Sequence, residues 1–324
     1  MVDGLLIDKR VFHVGDQSFL KKWTAQTKFE GLHMNAMDLI VLGPEDLVKK
    51  ANTLLSSGEF ERRREAVEWV LCAWILRGYI EGGFSGRPQL TAEALGNTLK
   101  VLEWGRTNLT EIHEGSLFNA TSVWPVRAMY LEAYMSCYAA SRGRPESVNF
   151  PLDLLLKESG QLIREVKAAY PDWTPGSPDL TTPSVIHSFA QALSMQGYYY
   201  AQLGEIAPDK SSSQNNFLLA SQSYKRAARV YNPDDEEHSW FLHCALSNGA
   251  HSGRMTYEAA LIILEEIRVS VPKMLRIWAN TPLSQGGRDG VLSKAMAMES
   301  RLAEKIGKGV ISKDGVLSIR DFDT

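Results

Sequence analysis

Cysteine is scarce: the 324 residues include three, Cys72, Cys137 and Cys244, far apart and without Cys-x-x-Cys spacing. An odd number so placed argues against a disulfide framework and against a zinc site, and it fits a reducing compartment, the cytoplasm or nucleus. Long apolar runs are missing too. The longest, Trp69 to Leu76, is far short of the roughly 20 residues that a membrane-spanning helix needs, so no membrane insertion is expected. The opening MVDGLLIDKRVFHV has acids interrupting a short apolar stretch and no small-residue cleavage site behind it. No secretory signal is expected, and the mature chain is expected to start near Met1.

Neither sign of charge dominates, with 35 Lys+Arg against 38 Asp+Glu and a net charge of −3. A phosphate backbone demands a basic stripe, whereas the best basic run here, Arg62-Arg63-Arg64, is bracketed by Glu59, Glu61 and Glu65. That run reads as a solvated helix start, and no nucleic-acid partner is expected. Catalytic signatures are equally sparse. Gly82-Gly83-Phe84-Ser85-Gly86 lacks the lysine and the preceding strand of a phosphate loop and reads as a helix-ending turn; no Gly-x-Ser-x-Gly elbow and no HExxH occur.

Helical periodicity fills the space that strands leave empty. Beyond residue 44 apolar residues recur three and four apart, with breaks at Gly, Pro and Asn clusters. Over Glu61 to Arg77, Ala66, Trp69, Val70, Ala73 and Leu76 share one face while Leu71, Trp74 and Ile75 widen it, so the helix is expected to be buried on two sides. Further helices are expected over Pro44–Ser56, Thr91–Trp104, Val126–Ala140, Leu152–Tyr170, Ser184–Leu203, Phe217–Tyr231, Glu236–Asn248, Thr256–Val269, Pro272–Ala279 and Gly290–Ile306. Gly/Pro-rich connectors separate them at 82–88, 142–151 and 171–183, and the polar stretch Pro208 to Asn216 is expected to be a poorly ordered loop. The division expected is a leader over 1–43 packing on the first helices, a helical repeat domain over 44–306, and a tail or short Asp-Gly hairpin over 307–324.

An internal repeat organises the middle of the chain. Ala220, Tyr224, Ala227 and Pro233 recur in spacing as Ala259, Ile263, Glu266 and Pro272, and upstream Gly197, Tyr200 and Gly204 place small residues and an aromatic on a first helix. Over residues 184–272 the chain thereby resembles the tetratricopeptide-repeat family, with Ile206 to Asn216 standing as an insertion between paired helices. The resemblance implies an all-α, right-handed α-α superhelix whose concave wall holds a peptide or a partner's helix. It also implies the groove-facing residues: Gln191, Ser194, Tyr198, Ala201 and Gln202 on one first helix, and Cys244, Asn248 and His251 on the next. Few of these are charged, so a clamp for a C-terminal carboxylate is not expected.

Two polar clusters complete the inventory. Asp234 to His238 could place a carboxylate and an imidazole at i,i+4 for a metal, but acids between Pro233 and a helix are what exposed N–H groups favour, and capping is the preferred reading. The cluster lacks the acid that a terpene-cyclase motif would need at His238. His243, Cys244 and His251 read as packed or satisfied side chains rather than as nucleophile and base. The expectation is therefore a protein-interaction scaffold or adaptor with a protein or peptide partner, and with no cofactor, metal or catalytic residue. The alternative is an all-helical enzyme or small-molecule binder with a pocket furnished by Tyr199, His243, His251 and the Asp234–His238 cluster.

Overall fold

The computed structural model describes residues 1–12, 18–174 and 182–322, and among them it is helical, with no strand and one isolated antiparallel bridge. Residues 13–17 of the leader and 175–181 of the connector read over 171–183 lie outside the described residues. The chain divides into two compact units: Met1–Pro151 with Pro183–Val185, and Leu152–Thr182 with Ile186–Thr324.

The first unit begins with α1 (Val2–Ile7) and α2 (Phe19–His33), continues through α3 (Pro44–Ser56) and α4 (Phe60–Arg77), and runs by a π-turn (Gly78–Gly82) and the short α5 (Gly83–Ser85) into α6 (Pro88–Asn108) and α7 (Ala120–Ser141). Pro44 opens α3 at a position whose N–H has no helical acceptor, and Glu45 and Asp46 meet the positive end of the dipole. Helix α4 buries Ala66, Val67, Val70, Leu71, Ile75 and Leu76 on more than one face, which a helix does when it is covered from two sides. Leu5 and Leu6 of α1 join the same core. The trio of arginines is not wholly solvated: Arg64 is buried, donating to Glu61 and to the Glu111 carbonyl, and Arg63 pairs with Asp38 at 2.7 Å.

The second unit contains α8 (Asp153–Ala169), most of α9 (Pro183–Ile206), α10 (Lys210–Ala228), α11 (Glu236–Ser252), α12 (Tyr257–Trp278), the short α13 (Pro282–Gln285) and α14 (Arg288–Gly307). Helix α10 packs on α11, α11 on α12, and α12 on α14.

Four expectations are corrected here. The stretch read as a mobile loop and an insertion at 206–216 is mostly the first turns of α10. Asp209 caps it by accepting from the Ser212 N–H at 2.9 Å, and Ser213 donates to the Gly204 carbonyl at 2.8 Å, so a polar composition is compatible with helix on a half-exposed face. Pro272 does not separate two helices; it lies inside α12 on the exposed side. Pro125 likewise lies inside α7, which starts at Ala120 under an Asn119 cap instead of at Val126. Finally, the tail forms no hairpin of its own. The turn at Asp314-Gly315 closes with Gly315 N–H donating to Ser312, but Leu317 pairs with Met255 and Tyr257 with Gly315, each at 2.8 Å, and Leu317 is buried. Backbone hydrogen bonds to residues 255–258 at the start of α12, not to a second tail strand, hold this segment, and Leu317 within it is buried.

Candidate interaction surface

The expected groove residues sit on α9 and α11, and α10 meets both helices through small residues. Gly197 of α9 lies against the ring of Tyr224, where an added Cβ would come within 2.9 Å, and a Cβ on Gly204 would come within 3.0 Å of the Phe217 ring. On the other side, Ser221 donates to the Ala245 carbonyl of α11 at 2.7 Å, a contact that requires two backbones to approach closely. Ala220, Ala227 and Ala228 are buried with Tyr224. The small and aromatic positions that carry the repeat spacing on α10 thus form its inner face.

Tyr224 is the centre of this arrangement. Its ring stacks on Phe241 of α11 with centroids 6.0 Å apart, and burial, with Cys244 and Tyr198 adding to it, raises its hydroxyl well above the usual phenol range. Tyr198 from α9 and Cys244 from α11 therefore both lie within electrostatic reach of one phenol on α10. Burial also pushes the Cys244 thiol up to about 12, the Cys72 thiol to about 12 and the Cys137 thiol to about 11, so all three stay protonated near neutral pH and none is prepared as a nucleophile.

The eight residues differ in what they present. Cys244, Asn248 and His251 follow one another at i, i+4 and i+7 on α11, and exposure rises along them from half-buried Cys244 and Asn248 to exposed His251. Asn248 donates to the Cys244 carbonyl at 2.8 Å; the His251 Nδ1 lies 2.8 Å from the Ser247 carbonyl, and its ring stands 5.0 Å from Phe217. On α9, Gln191, Tyr198 and Ala201 are half-buried, whereas Ser194 and Gln202 are buried. Ser194 donates to the Gln191 carbonyl at 2.8 Å. What a partner could touch on these helices is thus centred on Asn248 and His251 with the Phe217 ring beside His251, an aromatic that lies outside the repeat spacing.

The groups of the alternative pocket are held at separate places. Tyr199 donates to Asp153 at 3.1 Å, the His238 Nδ1 lies 2.8 Å from the Ala228 carbonyl, and Asp235 caps α11 by accepting from the Glu237 N–H at 2.8 Å. Among the described residues no three His, Cys, Asp or Glu side chains are gathered so as to hold a metal ion. Glu236, read only as part of a capping cluster, is buried and forms an ion pair with buried Arg288, while Thr281 donates to its carboxylate at 2.6 Å. Nothing in local spacing connects residues so far apart in sequence.

His243 faces a small cavity of about 140 Å³ lined by Val291, Lys294, Ala295, Met298 and Phe322. Its Nδ1 is buried with no hydrogen-bond partner, and burial lowers its pKa to about 4. The unfolded imidazole takes up its proton near 6.5, so the unfolded chain binds the extra proton first as pH falls. Stability is therefore expected to decline between about pH 6.5 and 4 by on the order of 3 kcal/mol and to level off below. Urea midpoints measured across that range should show the decline, and His243→Phe should flatten it; an unchanged slope in the variant would assign the pH dependence elsewhere.

No family model matches this chain, and no curated protein or solved structure matches it.

Proposed function

We propose that the chain is a protein-interaction scaffold and that α9–α12 act as two tetratricopeptide-like helix pairs stacked in a right-handed superhelix. The partner, a peptide or a helix of another protein, lies across the faces of α9 and α11. The observation that carries this reading is the Tyr224 ring of α10, which lies against Gly197 of α9 on one side and stacks on Phe241 of α11 on the other. Two first helices flank one second helix, as stacked helix pairs require, and the α11 stripe Cys244, Asn248, His251 continues outward from that point. Short turns support the pairing: 207–209 joins α9 to α10, and 253–256 joins α11 to α12, with Gly253 supplying the left-handed residue at φ 61° that ends α11.

An aromatic and an imidazole side by side, with an amide one turn away, suit a partner that offers an apolar anchor and backbone hydrogen bonds. Affinity capture with the wild-type chain and with the Asn248→Arg, His251→Glu variant is the test. These two positions are preferred to Tyr198 or Ser194, whose alteration would disturb helix packing. A partner enriched by the wild type and reduced about tenfold or more by the folded variant supports the reading; equal recovery by both removes this face from the interaction.

A further inference from the structure

The first unit carries a cleft that the interaction face of the second does not involve. Its volume is about 400 Å³, and its walls are the end of the leader (Ile40 to Pro44), the last turns of α4 (Trp74, Arg77), the π-turn (Gly78, Glu81) and the first turns of α6 (Leu90, Glu93, Ala94, Asn97). A space of this size holds a small ligand or a few residues of an extended chain.

The cleft is a product of the π-turn. A Cβ on Gly78 would lie 2.6 Å from that of Ala94, and one on Gly82 would lie 1.8 Å from Thr91 Oγ1 and 2.8 Å from Thr91 N, so only glycine lets this segment rest on α6. Thr91 in turn donates to the Gly78 carbonyl at 2.9 Å, one of the acceptors that a π-turn takes out of the regular helical ladder. Trp74 at the end of α4 and Glu93 and Asn97 of α6 line the same open space beside the turn.

The polar groups left over define what could fill that space. Arg77 and Glu81 neutralise each other, Arg77 Nε donating to both carboxylate oxygens at 3.0 Å. Trp74 Nε1, the Glu93 carboxylate and the Asn97 amide have no hydrogen-bond or ion-pair partner among the described residues. One aromatic face with an N–H donor, one amide that can both donate and accept, and one carboxylate without a counter-ion stand together, and the remaining walls, Ile40, Val41, Leu42 and Leu90, are apolar. With Arg77 and Glu81 cancelling, the lining has a net charge of −1 from Glu93.

We propose that this cleft binds a basic residue of an extended peptide. The cationic head meets Glu93 and the face of Trp74, its aliphatic stem lies along Val41 and Leu90, and the peptide backbone is matched by Asn97 and the Trp74 N–H. The carboxylate gives the sign of the ligand and the indole its shape: an acidic residue would meet Glu93 with like charge, and a purely apolar one would gain nothing from it.

Capped pentapeptides with a central Arg, norleucine or Glu between Gly-Ala and Ala-Gly provide the probes, titrated into the ¹⁵N-labelled full-length chain. The Trp74 indole N–H resonance, assigned by its loss in Trp74→Phe, reports the site. The Arg peptide should shift it saturably, more strongly at low salt, while the Glu peptide leaves it in place. Glu93→Gln, at an exposed position that keeps the fold, should weaken the Arg peptide about three- to fivefold and bring it level with norleucine. The proposal is overturned if the Arg peptide leaves the Trp74 resonance unmoved at about 5 mM. It is equally overturned if norleucine or Glu peptides bind as well as Arg, or if Glu93→Gln binds Arg as tightly as the wild type does. None of these outcomes bears on the α11 face, which lies in the other unit.

Discussion

Replacing Arg288 by methionine is expected to reduce folding stability by about 3–5 kcal/mol. The guanidinium is fully buried and serves four acceptors at once: the Glu236 carboxylate, the Trp278 carbonyl at 2.9 Å, Asp289 at 2.8 Å through Nε, and Thr281 at 3.4 Å. Its removal strips the cation from a Glu236 side chain that is 2% exposed, and an ionised carboxylate deep in the protein without its counter-charge is costly. The pair ties the start of α11 to the start of α14 and to the turn after α12, so the loss should appear as a lower urea midpoint for the whole second unit. Adding Glu236→Gln to Arg288→Met should recover part of the stability, because the stranded charge is then gone. A single-variant loss below about 1 kcal/mol would place the pair among contacts of surface strength and contradict its role as a lock.

Tyr224→Ala is the second large effect, at about 3–5 kcal/mol. The ring fills the space that Gly197 opens on α9 and stacks on Phe241 of α11, so truncation empties a cavity shared by three helices. Tyr224→Phe keeps the ring and should retain most of the stability. The contrast separates ring packing from the hydroxyl, whose raised pKa reflects its burial. Should Tyr224→Ala unfold no more readily than Tyr224→Phe, by thermal denaturation followed at 222 nm, the ring is not what joins α9 to α11.

Much of the helical layout is legible in the sequence because the signals are local. Pro44 and the acids behind it mark the start of α3, and the wide apolar face of 66–76 reports that α4 is covered on two sides. The i, i+4, i+7 order of Cys244, Asn248 and His251 places them in a stripe without any tertiary information. The misread segments share a physical cause: a local preference is answered by a partner elsewhere. Lys210 to Asn216 has loop composition, yet the Asp209 cap and the Ser213 bond to Gly204 hold it in helix. Pro125 and Pro272 remove one helical hydrogen bond each, a cost that the neighbouring turns and packing absorb. Asp314-Gly315 makes the turn its sequence announces, but Leu317 donates its N–H to Met255 just before α12 instead of to a second tail strand. The candidate surface is legible to the same degree. The stripe on α11 follows from spacing, while the burial of Ser194 and Gln202 follows from how closely α9 is packed, which periodicity does not encode.

On the proposed function, the exposed end of the α11 stripe meets a partner. The most direct measurement places a photo-crosslinking amino acid at Asn248 or His251 and, as a control on the same unit, at Lys273, which is exposed on α12. After irradiation in lysate, one shared protein adduct is expected from positions 248 and 251 and none of it from 273. The same adduct from all three positions, or an adduct from 273 alone, would contradict it.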